Sequence, residues 1–245
     1  MPRIYLSPSL QQNNPYVIGG SEEYYMNLVA DAMEPYLRSS GIAFTRNDPE
    51  QTLSQVIAQS NAGDYDLHLA LHSNAAGAAN AGQVRGTDVY YYPGSTRGKR
   101  AADIIAENFK NIYPNPSLVR TVPTTTLAEV VRTRAPSVLV EIAYHDNVQD
   151  AEWIRDNIQP IARNLVQSLT QYFGIPFIEA QPAREGRVDT VRGNLNLRSR
   201  PSLDAPIITT IPDGSPVIVY GQWQDWYVVE YMGHIGYVSS RYIEV

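Results

Sequence analysis

Cysteine is absent from the 245-residue chain. Disulfides and thiolate metal sites are therefore excluded, and any metal must be held by histidine, carboxylate, amide or water. Histidine itself is scarce, with four in all, at positions 68, 72, 145 and 234. Positive charge is in the minority: 19 Lys and Arg face 25 Asp and Glu, a formal net charge of −6. That balance lacks the basic face of a nucleic-acid binder. No apolar run approaches the roughly 18 residues of a membrane span. Residues Met1 to Pro8 read as the start of a strand and carry no apolar segment of leader length. Phenylalanine is rare beside tyrosine, four against 17. The tyrosines gather at Tyr90-Tyr91-Tyr92 and in the last 60 residues. That pattern suits carbohydrate or cell-wall contact, and equally suits amphipathic aromatics at strand edges.

What is present is a chain with 43% apolar residues, long enough for one large or two modest domains. Up to residue 173 strands and helices alternate. Ile4-Leu6 and Ile42-Arg46 read as strands. Between them lies a helix from Ser21, as N-cap, to about Arg38, after a long polar loop from Gln11 to Gly20. A helix over 52–60 precedes Leu67–His72, whose leucines alternate with His68, Ala70 and His72 in the manner of a strand covered on both faces. Val89–Tyr92 is a further strand, Ser95–Tyr113 a helix, Pro114–Thr125 a loop and Leu127–Val131 a short strand. The almost wholly apolar run Pro136–Ile142 is a central strand, and one long helix spans about Val148 to Phe173. The pattern predicts a mostly parallel twisted sheet with helices on both faces.

From Ile175 the texture changes. Residues 176–184 form a Pro-bearing linker, and short alternating strands punctuated by Pro212-Asp-Gly214 and Met232-Gly233 turns fill 185–245. This predicts a small β-barrel behind a domain spanning 1–175.

In open α/β sheets ligands gather beyond the carboxyl ends of the strands. His72-Ser-Asn74 and Glu141 to Asn147 lie at two such ends. Glu141 sits among Val138, Leu139, Val140 and Ile142, where a carboxylate is costly unless paired or metal-bound. It reads as functional, with a salt bridge to Arg132 or Arg134 as the alternative. His68 lies four residues before His72, about 13 Å along an extended strand, and reads as a core residue. Glu22 and Glu23 begin a helix, where favourable interaction with the helix dipole is a sufficient explanation. His234 reads as a surface residue of a hairpin.

These residues carry a resemblance. Ala70-Leu-His-Ser-Asn-Ala75, Gly20-Ser-Glu-Glu-Tyr-Tyr-Met-Asn-Leu28, Gly41-Ile-Ala-Phe-Thr-Arg46 and Arg134-Ala-Pro-Ser-Val-Leu-Val-Glu141 follow one another in the order found in type-3 N-acetylmuramoyl-L-alanine amidases. Residues 3–173 resemble that family, and residues 184–245 resemble a bacterial SH3 domain through Leu195-Asn-Leu-Arg-Ser-Arg-Pro201, Trp226-Tyr-Val-Val229 and Gly236-Tyr-Val238. The resemblance implies a Zn2+-dependent hydrolase of the bond between N-acetylmuramic acid and L-alanine in peptidoglycan, held at the wall by the SH3 module. It implies Glu23 and His72 as metal ligands and Glu141 as the catalytic acid–base. One position departs: the family's first ligand, a histidine after strand one, has no counterpart in Ser7-Pro-Ser-Leu-Gln11. His145 and the Gln11 amide are the candidates for the third ligand, and His145 is equally a candidate for substrate binding. The expected protein is a monomeric autolysin or endolysin acting at the bacterial wall, outside the cell or on lysis, without inserting in a membrane. A wall-binding protein on a degenerate amidase scaffold, or a metallopeptidase of the stem peptide, is the alternative.

Overall fold

A computed structural model describes all 245 residues. The chain divides into two compact units, one of Arg3–Met33 and Phe44–Tyr172, the other of Met1–Pro2, Glu34–Ala43 and Phe173–Val245.

The first unit is built on a six-stranded sheet. In chain order its elements are β1 (Arg3–Pro8), α1 (Glu22–Ser39), β2 (Ala43–Arg46), α2 (Leu53–Ala62), β3 (Leu67–Asn74), β4 (Thr87–Tyr91), α3 (Thr96–Phe109), β5 (Val119–Pro123), α4 (Ala128–Val131), β6 (Ser137–Tyr144), α5 (Val148–Asp156) and α6 (Ile158–Phe173). The strand order is β2-β1-β3-β6-β4-β5. β1, β3 and β6 run parallel, as do β4 and β5, while β4 meets β6 antiparallel. Leu67 to Leu71 are all fully buried whichever way they alternate, so both faces of the sheet centre are covered. The mostly parallel sheet with helices on both faces is thus the observed fold.

Three local expectations are corrected. Leu127–Val131 is a strand by its β-branched pair, yet Ala128–Val131 forms a helical turn. The Thr124 hydroxyl accepts from the Thr126 and Leu127 amides, and Val130 and Val131 N–H groups return to the Leu127 carbonyl. Residues 119–123, expected as loop, pair with β4 as an edge strand, where Pro123 is tolerated because an edge needs fewer ladder donors. The single helix over 148–173 is two, separated at Asn157, whose side-chain amide donates to the Trp153 carbonyl at 2.8 Å. The break leaves Pro160 in the first turn of α6, where its missing N–H costs no helical bond.

The second unit contains a seven-stranded antiparallel sheet: β7 (Arg184–Val188), β8 (Leu195–Arg198), β9 (Ile207–Ile211), β10 (Pro216–Trp223), β11 (Trp226–Tyr231), β12 (His234–Ser239) and β13 (Ile243–Glu244). Bulges between Val219 and Gly221 and between Leu197 and Arg198 bend it around a core of Val188, Leu197, Ile211, Val219, Val229 and Val238. Met232 and Gly233, both at positive φ, close the β11–β12 hairpin and leave His234 exposed at its edge. Residues 175–183 carry no regular structure, but Ile178 is buried with Val228, Ile235 and Tyr237. Its N–H donates to the Ser40 hydroxyl at 3.0 Å, and the Tyr237 hydroxyl donates to the Ser40 carbonyl at 2.8 Å. Gly41, at φ +72, lies where an added Cβ would be 3.1 Å from the Tyr237 ring.

Candidate active site

His72 and Glu141 are register partners on adjacent parallel strands, so their side chains stand together on one face near the carboxyl ends of β3 and β6. Asp88 on β4 is the register partner of Glu141 on the other side and is held by Arg120 at 2.8 Å. A groove of about 550 Å3 opens over this face, with Leu10, Leu53, Leu127 and Leu139 along its apolar walls and Gln11, His72, Glu129 and Glu141 among its polar groups.

The carboxylate that meets His72 is Glu22, not Glu23. Glu22 is 1% exposed and its Oε1 lies 2.8 Å from His72 Nδ1. Asn14 donates to Glu22 Oε2 at 2.8 Å and Gln11 Nε2 to Glu22 Oε1 at 3.2 Å. Glu23, one residue further round the helix, is half-buried and its carboxylate makes no hydrogen bond or ion pair. Ser21 caps the turn by accepting from the Tyr24 amide. The loop before it sets the phase: the Glu22 amide bonds the Asn14 carbonyl at 2.9 Å, turning Glu22 inward. Burial alone would raise the Glu22 carboxyl, but His72, Asn14 and Ser9 hold it below its ordinary value.

Gln11 does reach the site, its Nε2 lying 3.3 Å from His72 Nδ1. His145 does not. Its Nδ1 bonds the Ser73 carbonyl at 2.8 Å and sits 3.1 Å from the Ser73 hydroxyl, and its ring stacks on Tyr16. Those partners hold the imidazole beside Ser73 and away from His72.

Glu129 was not legible as a site residue. Its Oε1 is 3.4 Å from His72 Nε2, while its Oε2 is 2.9 Å from His68 Nε2 and accepts from the Ser7 hydroxyl at 2.6 Å. His68 completes the line through its Nδ1, 2.9 Å from the Ser60 hydroxyl, with its ring stacked on Tyr5. His68 is thus a core residue that also joins the polar network of His72. The only signals were an acid in an apolar run and a second histidine four residues from the first.

The electrostatics follow from these contacts. Burial would lower the His72 pKa, but Glu129 and Glu22, one at each ring nitrogen, raise it well above 6.5. Burial would raise the Glu129 carboxyl, yet His68 and His72 hold it far below the usual carboxylate range. Glu141 is the reverse case. Its Oε2 is buried without a hydrogen-bond partner, and Arg132 and Arg134 lie elsewhere: the Arg132 carbonyl bonds Asn61, and Arg134 pairs with Asp64. Burial pushes its carboxyl up to about 7, opposed by His72 and assisted by Glu22 and Asp88.

No three His, Asp or Glu side chains converge in metal-binding geometry. Two potential ligand atoms do meet, His72 Nδ1 and Glu22 Oε1 at 2.8 Å, while Gln11 donates its Nε2 toward both at 3.2 to 3.3 Å and turns its oxygen to Asn14 at 2.7 Å. That spacing is about the edge of a coordination polyhedron with ligand distances near 2.1 Å. Glu129 behind the other His72 nitrogen is the arrangement that orients a ligating imidazole, and the unpartnered Glu141 oxygen faces the same space. His72 and Glu22 fit a divalent ion as a pair, and Gln11 would add an amide ligand only with its oxygen turned from Asn14 toward them.

A mixed α/β sheet that brings a histidine and a lone buried carboxylate together at its strand ends, with a helix-borne carboxylate on the histidine, is a scaffold suited to hydrolysis. The chain belongs to the N-acetylmuramoyl-L-alanine amidase family, whose model matches residues 4–171, and a bacterial SH3 domain model matches residues 193–244. No curated protein sequence matches the chain. Among solved structures the fold is similar to the amidase AmiC2 of Nostoc punctiforme, with 16% identity and a TM-score of 0.62 over 71% of this chain and 97% of that one. It is also similar to the CwlD amidase of Clostridioides difficile, with 14% identity and a TM-score of 0.63 over 71% and 99%. The catalytic domain of the CD27L endolysin is similar over 70% and 98%, with 20% identity and a TM-score of 0.58.

Proposed function

We propose that this amidase hydrolyses the amide between N-acetylmuramic acid and the L-alanine of the stem peptide with Glu141 as general base and acid. The observation that carries the proposal is the buried, unpartnered Glu141 carboxylate beside the His72–Glu22 pair at the carboxyl ends of the central strands. Its carboxyl, pushed up to about 7, is shared between protonated and ionised forms at neutral pH. Such a group takes a proton from water in one step and returns it to the leaving amine in the next. The apolar groove walls exclude bulk water and leave the polar floor to orient the scissile amide.

His72 and Glu22 would hold the Zn2+ on which the family's chemistry depends, with Gln11 joining them once its amide oxygen is turned inward from Asn14. When bound there, zinc supplies a Lewis acid that polarises the amide carbonyl and acidifies water. Glu129 keeps the His72 ring in place through Nε2, and Asn14 fixes the second oxygen of Glu22. No helix is long and apolar enough to cross a membrane. The bacterial SH3 match supports the reading that the protein acts at the cell wall, and action there as a monomer is part of the proposal.

Incubation of purified muropeptides with the zinc-loaded protein, followed by mass spectrometry, tests the reading. The expected product is a free stem peptide beginning at L-alanine, with turnover falling about 100-fold or more in Glu141→Gln. Fragments cut within the stem peptide, no products at all, or wild-type turnover by the variant would each overturn it.

A further inference from the structure

The groove over His72 and Glu141 is unusual in what lines it. The chain has 17 tyrosines and three tryptophans, yet none of them lines this groove. A flat aromatic face suits a sugar ring, whereas leucine walls suit the methyl and methylene groups of a peptide. Leu53, at the start of α2, is 45% exposed on one wall. The charges are one-sided. No lysine or arginine lines the groove, while Glu129 and Glu141 do, and Glu22 stands behind His72. His72 is the one lining group able to carry positive charge, and it lies between Glu22 and Glu129, which outweigh it. The Arg120 guanidinium on β5 is taken by Asp88 through hydrogen bonds of 2.9 and 3.1 Å, and that of Arg134 by Asp64. Glu22 and Glu129 also match the two charges of a divalent ion at His72, so its binding leaves no surplus of positive charge.

Most side-chain donors of the groove are spent as well. Gln11 gives its Nε2 to Glu22, the Thr52 hydroxyl donates to Gln55 at 3.0 Å, and Gln51 gives one N–H to Gln59 at 3.2 Å. What remains is a single N–H of Gln51 and acceptor capacity, foremost the unpartnered Glu141 Oε2. A primary amide donates two N–H groups and carries no charge, while a carboxylate only accepts. The groove therefore accommodates the first and rejects the second. In a stem peptide that choice arises one residue past the scissile amide. L-alanine is followed there by a γ-linked D-glutamate, whose α-carboxyl is free in some walls and amidated in others. One extended residue spans at most about 3.6 Å, so this group lies within the reach of a groove of about 550 Å3.

We infer that the catalytic groove selects stem peptides in which the residue after L-alanine is amidated, and discriminates against those with a free carboxylate there. The inference rests on the amidase reading for the place of the substrate; the charge and donor balance of the groove does not.

Two probes that differ in this one group test the inference: N-acetylmuramoyl-L-alanyl-D-isoglutamine and N-acetylmuramoyl-L-alanyl-D-glutamate. Turnover of each by the zinc-loaded full chain is measured, with binding of each followed by isothermal titration. kcat/KM is expected to be at least about tenfold higher for the amidated compound, because the free acid brings an unpaired charge into the groove. The gap should narrow as salt rises, since screening relieves the repulsion. Leu53→Arg, which sets a cation on the exposed wall, should bring the ratio toward one, while the neutral Leu53→Gln keeps it. Should Leu53→Arg lose its cooperative melting transition, the salt series on the wild type carries the comparison. Equal kcat/KM for the two compounds, preference for the free acid, or a gap moved by neither salt nor Leu53→Arg would overturn the inference. Failure of the amidase reading is separately visible. If neither compound is cleaved but the amidated one binds at least about tenfold tighter, the hydrolase is lost and the selectivity stands. Equal cleavage of both does the opposite, and binding of neither overturns both.

Discussion

Replacing Glu141 by glutamine should stabilise the metal-free protein, and the gain should depend on pH in a defined way. In the folded state burial raises this carboxyl from 4.5 to about 7. A raised pKa means that the fold prefers the protonated form. That preference contributes fully below pH 4.5, where folded and unfolded chains are both protonated. It is lost as pH climbs through about 7, where the unfolded chain is ionised and the folded one must follow. The difference of about 2.5 pH units, at about 1.4 kcal/mol each, makes the ionised carboxylate cost roughly 3 kcal/mol above pH 8. Glutamine keeps the neutral shape at every pH. After treatment with a chelator, Glu141→Gln should therefore unfold within about 1 kcal/mol of the wild type at pH 4.5 and about 3 kcal/mol above it at pH 8.5. In a melting experiment the latter is roughly 6–12 °C for a chain of this size. Urea titrations at six pH values between 4.5 and 8.5 measure the gap directly. A gap that stays constant across that range, or a variant less stable than the wild type at pH 8.5, would show that Glu141 is not held protonated by burial.

Three further outcomes follow from the same geometry. Glu22→Ala should abolish zinc retention in a desalted sample while Glu23→Ala retains it, as read by plasma mass spectrometry, because of these two neighbours Glu22 is the one that touches His72. Glu129→Ala removes the partner of two imidazoles and the Ser7 hydroxyl and should cost about 3–5 kcal/mol in urea unfolding; a loss under about 1 kcal/mol would mean the network is not structural. Tyr237→Phe leaves the Ser40 carbonyl without its donor and should lower stability by about 1–2 kcal/mol, measured by the melting transition of the C-terminal unit.

How much of this could be read from residues alone depends on what kind of information fixed each part. The sheet was legible because period-two leucines over 67–71 and the apolar run over 137–142 report burial on both faces, a property each strand carries by itself. The pairing of His72 with Glu141 followed once both were placed at strand ends. The choice between Glu22 and Glu23 was not legible. Adjacent helical residues differ by about 100° in direction, and the phase is fixed by the Asn14 carbonyl and Gln11, which come from an irregular loop. Glu129 was hidden for a similar reason. As part of a strand it would alternate out of the sheet, but Thr124 starts a helical turn there and swings the carboxylate between His68 and His72.

The departure at strand one gains a physical sense from Glu129. A second imidazole would have needed a place beside Glu22, where Gln11 now stands, donating to Glu22 and touching His72. Gln11 presents its NH2 to both groups and its oxygen to Asn14, so in the proposed zinc site the binding strength must come mainly from His72 and Glu22. Both are reinforced from behind: Asn14 holds the far oxygen of Glu22, and Glu129, itself anchored by His68 and Ser7, faces the far nitrogen of His72. Rigid, hydrogen-bonded ligands lose less freedom on binding a cation than loose ones. A site with one imidazole therefore depends on its supporting shell more than a site with two would. Restoring an imidazole by Gln11→His should then tighten zinc binding, and it should make Glu129 less necessary. Measured by chelator competition, the loss caused by Glu129→Gln should be smaller in the Gln11→His background than in the wild type. An equal loss in both backgrounds would mean that Glu129 serves the fold and not the ligand.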